Sequence, residues 1–133
     1  MFSLKYTAVL VLLLVISMAN AQKTRIATGV WGGLHINIDV GSDSAKVEWD
    51  CANGAIEGPL VVDDDGKFEL RGSFTPERGG PVRADETPER QPATYSGTIK
   101  GNTMTLTLKI SGVDETETFT LERGKPGRLV KCK

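Results

Sequence analysis

Apolar and polar residues change places at every second position through most of this chain. Leu34, Ile36, Ile38 and Val40 alternate with His35, Asn37 and Asp39, and Ala45, Val47, Trp49 and Cys51 alternate with Lys46, Glu48 and Asp50. Phe68, Leu70, Gly72 and Phe74 stand against Glu69, Arg71 and Ser73, and Tyr95, Gly97 and Ile99 follow. Met104, Leu106, Leu108 and Ile110 then alternate with Thr103, Thr105, Thr107 and Lys109, and Phe119 and Leu121 with Thr118, Thr120 and Glu122. A period of two puts one set of side chains on each face of a strand. These runs therefore read as antiparallel strands with one face in a core and the other in water. Beyond residue 21 no stretch of ten residues repeats at helical spacing. The expected strands are 30–40, 45–51, 55–62, 67–74, 93–100, 103–110, 116–122 and 128–132.

Turn-forming residues separate the runs. Gly41-Ser42-Asp43-Ser44, Asn53-Gly54, Asp64-Asp65-Gly66-Lys67, Lys100-Gly101-Asn102, Ser111-Gly112 and Gly124-Lys125-Pro126-Gly127 all suit tight connections. About eight short strands in sequential hairpins predict an all-β fold, a small antiparallel up-and-down β-barrel, with a two-sheet sandwich as the alternative. Closure also removes exposed strand edges, which a chain without covering helices must otherwise manage.

The first 21 residues differ from the rest. Lys5 precedes the apolar run Ala8–Ile16, and small residues Ala19 and Ala21 stand before Gln22. A basic start, a short apolar middle and small residues at −3 and −1 make a secretory signal peptide, too short to span a bilayer as a helix. Export to the periplasm or the medium is expected, leaving residues 22–133 as one domain. Lys5 is the one charged side chain removed, so 15 basic side chains then face 17 acidic ones. That balance argues against a nucleic-acid or anionic-membrane binder, and no second hydrophobic segment reaches spanning length. Cys51 and Cys132 are the only cysteines. In an oxidising compartment they are expected to form a disulfide, which would bring the end of the chain near its beginning and so favours a barrel. Closing a loop of 81 positions is worth about 4.5 kcal/mol in the chain-entropy account.

Residues 75–92 break the rhythm. They hold four of the six prolines (Pro76, Pro81, Pro88 and Pro92), seven charged side chains and almost nothing apolar beyond Val82 and Ala84. Long connections of this kind are either surface excursions or binding elements. The first is the plainer reading. The second makes Arg78, Pro81, Val82 and Arg83 candidate partner contacts.

Other constellations have simpler explanations. His35, the single histidine, excludes a multi-histidine metal centre, and its grouping with Asn37 and Asp39 reads as a solvated strand face. No partnered nucleophile accompanies it, so no catalytic residue is assigned. Asp63-Asp64-Asp65-Gly66 lacks the alternate oxygens and distal Glu of a calcium loop and reads as a hairpin turn. The residues imply no metal and no cofactor. Gly32, Gly58, Gly72 and Gly97 within strand-like runs read as barrel curvature, or else as room for a ligand lined by Phe68, Phe74, Tyr95 and Phe119.

Gly29-Val30-Trp31 opens the first strand, and Arg128 and Lys131 lie in the last. This resembles the Gly-x-Trp start of lipocalin-type barrels, the calycins. The resemblance implies an eight-stranded barrel closed at one end by Trp31, with Arg128, ahead of Lys131, as the basic cap upon it. The chain departs from those families in being shorter and in lacking their C-terminal helix, and both departures argue against a large ligand cavity. Trp-Gly-Gly and the closing Arg128-Leu129-Val130-Lys131-Cys132 also resemble small exported bacterial barrels without assigned activity. By simple alternation Trp31 falls on the polar face with His35 and Asp39, so a β-bulge at Gly32-Gly33 is expected to return it to the core.

The functional expectation is a non-enzymatic exported barrel that binds something. Its ligand is either a small apolar molecule at an open mouth or an extracytoplasmic protein held through the loops. The alternative is an inhibitor of an extracytoplasmic hydrolase that inserts residues 75–92 into its target.

Overall fold

Strand pairing turns the alternation into an inside and an outside. The structure, a computed structural model, describes residues 22–77 and 89–132. Its strands are β1 (Thr24–Arg25), β2 (Gly29–Gly33), β3 (Ile36–Val40), β4 (Ser44–Trp49), β5 (Ala52–Glu57), β6 (Val61–Val62), β7 (Lys67–Pro76), β8 (Gln91–Lys100), β9 (Thr103–Ile110) and β10 (Thr116–Arg123). Eight of them close a barrel in the order β10-β2-β3-β4-β5-β7-β8-β9, each pair antiparallel. The fold is therefore the expected all-β eight-stranded antiparallel barrel. Trp31 pairs with Ile38, Ile38 with Val47, Val47 with Gly54 and Gly54 with Phe74, so inward residues form continuous rows across the sheet. Ile36, Ile38, Tyr95, Leu106 and Leu121 are wholly buried in this way.

The two ends of the barrel are finished differently. At one end β1 and β6 form a separate two-stranded ribbon, tied on by a hydrogen bond from Ile26 N–H to Leu60 O of 2.8 Å. This ribbon presses Leu60 and Val62 into the core. The turn before β7 is built on Asp63, whose Oδ1 accepts the Asp65 and Lys67 N–H groups at 2.9 Å each. The Asp63-Asp64-Asp65-Gly66 carboxylates are thus turn chemistry. The opposite end carries the β2–β3 and β4–β5 turns, the end of β7 and the start of β8, and the disulfide between Cys51 and Cys132.

Eight barrel strands are present, but they are not the expected eight. Residues 30–40 form a hairpin, β2–β3, around a two-residue turn at Leu34-His35, where His35 takes a φ of 64°. A positive φ at the second central residue alone is the pattern of a type II turn. The turn, and not a bulge at Gly32-Gly33, resets the alternation. Pairing is regular through Gly33↔Ile36 while Trp31 is 1 % exposed. Similarly, Asn53-Gly54 is no turn. The chain reverses at Asp50-Cys51, with Trp49 opposite Ala52, and Gly54 lies within β5. The expected strand 55–62 is interrupted at Gly58, whose φ is 76°, and only its first part belongs to the barrel. Residues 128–132 form no strand. They make one parallel bridge, Leu34↔Arg128, and the barrel seam is sealed by β10 against β2 instead.

Candidate functional site

The disulfide end gathers groups from four distant parts of the sequence. After β10 the chain turns back over the outside of the β2–β3 hairpin as an irregular strap, residues 124–132. Gly124 N–H donates to Val30 O at 2.7 Å, Gly127 N–H to Asn37 Oδ1 at 2.8 Å, and Arg128 N–H to Gly33 O at 3.0 Å. Gly32 permits this crossing, because a Cβ there would collide with the backbone of Lys125, Pro126 and Gly127. The strap then reaches Asp50. Val130 N–H donates to Asp50 Oδ1 at 2.8 Å and Cys132 N–H to Asp50 O at 3.0 Å, while His35 Nδ1 lies 2.6 Å from Asp50 Oδ2. Both Asp50 carboxylate oxygens are engaged, and the Cys51–Cys132 bond fixes the strap beyond them.

Glu77, where β7 gives way to the long connection, is clamped from the same side. Its N–H donates to Cys51 O at 2.8 Å, its Oε1 accepts Asn53 Nδ2 at 2.9 Å, and its Oε2 accepts Lys131 Nζ at 3.2 Å. Lys131 Nζ also donates to Trp49 O at 2.9 Å. The Asn53 hydrogen bond, helped by the nearby Lys131 ammonium, holds the Glu77 carboxyl below its ordinary value. The other stem is held too, by Ser111 N–H on Pro92 O at 2.9 Å and by the Phe74↔Gln91 pairing.

Beneath these groups lies an aromatic cluster. Trp49 packs against Phe74, Tyr95 and Phe119, with ring centroids 5.1, 6.3 and 6.2 Å away. Tyr95 is wholly buried and donates its hydroxyl to Ser73 O at 2.6 Å. Its burial pushes that hydroxyl's pKa well above the ordinary range. Gly54 and Gly72 supply the room for this ring, since a Cβ at either would meet it. Space that the glycines leave inside the barrel is thus taken by the protein's own tyrosine. Two grooves, about 490 and 320 Å³, lie along strands elsewhere. One runs beside Lys67, Glu69, Ser96 and Thr98, and the other beside Lys46, Glu48, Asn53 and Thr75.

The expected residues divide as follows. Cys51 and Cys132 are bonded to each other. Phe68, Phe74, Tyr95 and Phe119 all belong to the core packing, Phe68 and Tyr95 buried and Phe74 and Phe119 half-buried. Trp31 is buried, and the guanidinium over its ring, 4.9 Å from the centroid, is that of Arg123 on β10. Arg128 is exposed in the strap, where its backbone bridges Leu34. His35 meets Asp50 and not Asp39, which pairs across the strands with Val30 and Lys46. Arg78, Pro81, Val82 and Arg83 lie outside the described residues, as does the expected signal peptide. Asp50, Glu77 and Arg123 carried no local signal, and Lys131 stood out only as a basic residue near the end of the chain. Asp50 and Lys131 take their roles when the strap folds back across positions about 80 residues upstream, Glu77 through Asn53 and Lys131, and Arg123 through the register of β10 on β2. Compared with protein-family models, curated proteins and solved structures, the chain matches none. Among the described residues no helix is long and apolar enough to cross a membrane.

Proposed function

We propose that this is an exported, non-enzymatic binding module. Its disulfide-stapled end presents the connection between β7 and β8 to an extracytoplasmic protein, with a hydrolase as the target class. The observation that carries this reading is the clamp on Glu77. A long connection would ordinarily lose much conformational freedom on docking, and fixing its stems beforehand lowers that cost. Here one stem is held by Cys51, Asn53 and Lys131 and the other by Ser111. The disulfide supports export, because such bonds persist in oxidising compartments. A small apolar cargo inside the barrel is the less favoured ligand, since Trp49 and Tyr95 occupy the interior beside Gly54 and Gly72.

The test replaces residues 78–88 by a four-residue turn and titrates both proteins against a panel of secreted proteases and glycosidases. The parent protein is expected to inhibit at least one of them stoichiometrically. The shortened protein is expected to keep its melting temperature within a few degrees and to lose the inhibition. Retained inhibition in a folded, shortened protein refutes the assignment.

A further inference from the structure

The barrel seam leaves part of one strand unpaired. β10 is registered with β9 from Thr116 to Glu122, but with β2 only at Glu122↔Gly32 and Arg123↔Trp31. Alternate residues of an antiparallel strand turn their backbone groups to opposite sides. Arg123 N–H reaches Asn102 O on the β9 side, and Gly124 N–H reaches Val30 O on the β2 side. The N–H and C=O groups of Thr116, Thr118 and Thr120 therefore face away from β9. The Thr120 carbonyl lies hard against Gly33, where the hairpin veers off. Among the described residues no strand pairs with Thr116 or Thr118 on the side away from β9. Beside this opening Leu34 is 66 % exposed at the hairpin tip and Phe119 is half-buried.

We propose that the Thr116–Thr120 edge of β10 is a strand-addition site for an extended, basic segment of a partner protein. A row of unpaired strand groups is a template for another strand, with main-chain hydrogen bonds supplying affinity. The charge on this edge selects the occupant. Asp114, Glu115 and Glu117 are exposed along it with no lysine or arginine between residues 110 and 122, and Glu122 is already paired with Lys125. A second copy of the chain would set acidic edge against acidic edge, which opposes pairing. An incoming strand with Lys or Arg at alternate positions meets complementary charge. This proposal rests on β10 and the proposed function on the stems of β7 and β8, so the two stand or fall independently.

The probe is a labelled peptide of alternating Lys and Val, seven residues long, with a Glu-Val peptide of the same length as control. Binding is read by fluorescence anisotropy, and amide exchange is followed in the full mature chain. The Lys-Val peptide is expected to bind saturably and to slow exchange at Thr116 and Thr118. Thr118→Pro removes an outward N–H and leaves the β9 ladder intact, so affinity should fall about tenfold or more. Thr116→Pro, at the start of the strand, serves if the first variant fails to show native exchange in β9. Glu115→Lys with Glu117→Lys should transfer the preference to the Glu-Val peptide. Four results overturn the proposal: unchanged affinity in a folded proline variant, equal binding of both peptides, strong protection of Thr116 and Thr118 in the free monomer, or a dimer that the proline abolishes.

Discussion

The two sides of this barrel are held shut by different means. On one side β7, β8 and β9 pair along nearly their whole lengths, Lys67–Phe74 with Gln91–Thr98 and Ala93–Lys100 with Thr103–Ile110. On the other, β2 and β10 register at two positions only. There the joint is completed by the strap over Gly32, the Asp50 hub, the Cys51–Cys132 bond and the Arg123 guanidinium over Trp31. A ladder needs little more than alternation and length. A seam needs particular groups brought from far apart in the chain; in this molecule the proposed strand-addition edge lies at it, and the strap that completes it also holds the Glu77 stem of the β7–β8 connection.

Removing the disulfide is the largest expected perturbation of that contrast. Cys51→Ser with Cys132→Ser should lower stability by up to about 4.5 kcal/mol, read from urea unfolding. Amide exchange should locate the damage: residues 124–132 and β2 open while β7–β9 stay protected. Uniform opening would show that seam and ladder are one cooperative unit. Tyr95→Phe probes the ladder side in turn. It deletes the buried hydrogen bond to Ser73 O and leaves a gap beside Gly54, at a cost of about 1–2 kcal/mol. Its exchange signature should fall on β5, β7 and β8, the mirror of the disulfide variant.

The same contrast governs what could be read in advance. The ladder side was legible: runs 67–74, 93–100, 103–110 and 116–122 map onto β7–β10 within a few residues, because alternation over a long run admits one pairing register. The seam side was half legible. The clash of phase between Trp31 and Ile36 signalled a break in the first strand, but a two-residue turn and a one-residue bulge both restore parity, and only the pairing distinguishes them. Asn53-Gly54 has the composition of a turn, yet Gly54 is there to admit the Tyr95 hydroxyl, a contact 41 positions away in the chain. Residues 128–132 alternate like a strand, and tertiary hydrogen bonds to Gly33, His35 and Asp50 claimed their backbone first. For the same reason the cation on Trp31 comes from a strand neighbour, Arg123, whose position opposite Trp31 is a fact of register.

Smaller perturbations sharpen the seam itself. Arg123→Ala removes the guanidinium from the Trp31 face and should cost about 1 kcal/mol, with a change in Trp31 fluorescence as the local reporter. Acid should act on the stem clamp. The hydrogen bond from Asn53 and the ammonium of Lys131 hold the Glu77 pKa below its ordinary value of 4.5, so the folded clamp prefers the carboxylate. A group whose pKa is lowered by folding contributes stability above its unfolded value and loses it as pH falls through the folded one. The clamp should therefore be at full strength at neutral pH and weaken below about pH 4.5. Because Glu77 is over a third exposed, water screens the pair and the change in global stability should be slight. The sensitive readout is local: the NMR shift of the Glu77 carboxyl, and faster exchange of the Glu77 amide bonded to Cys51 O. Glu77→Gln keeps the acceptor for Asn53 but removes the charge, and should abolish the titration while leaving β7 to β9 unchanged. If acid loosened the long ladders as early as the Glu77 amide, the stem would be no separate clamp, and the argument for a presented connection would fall with it.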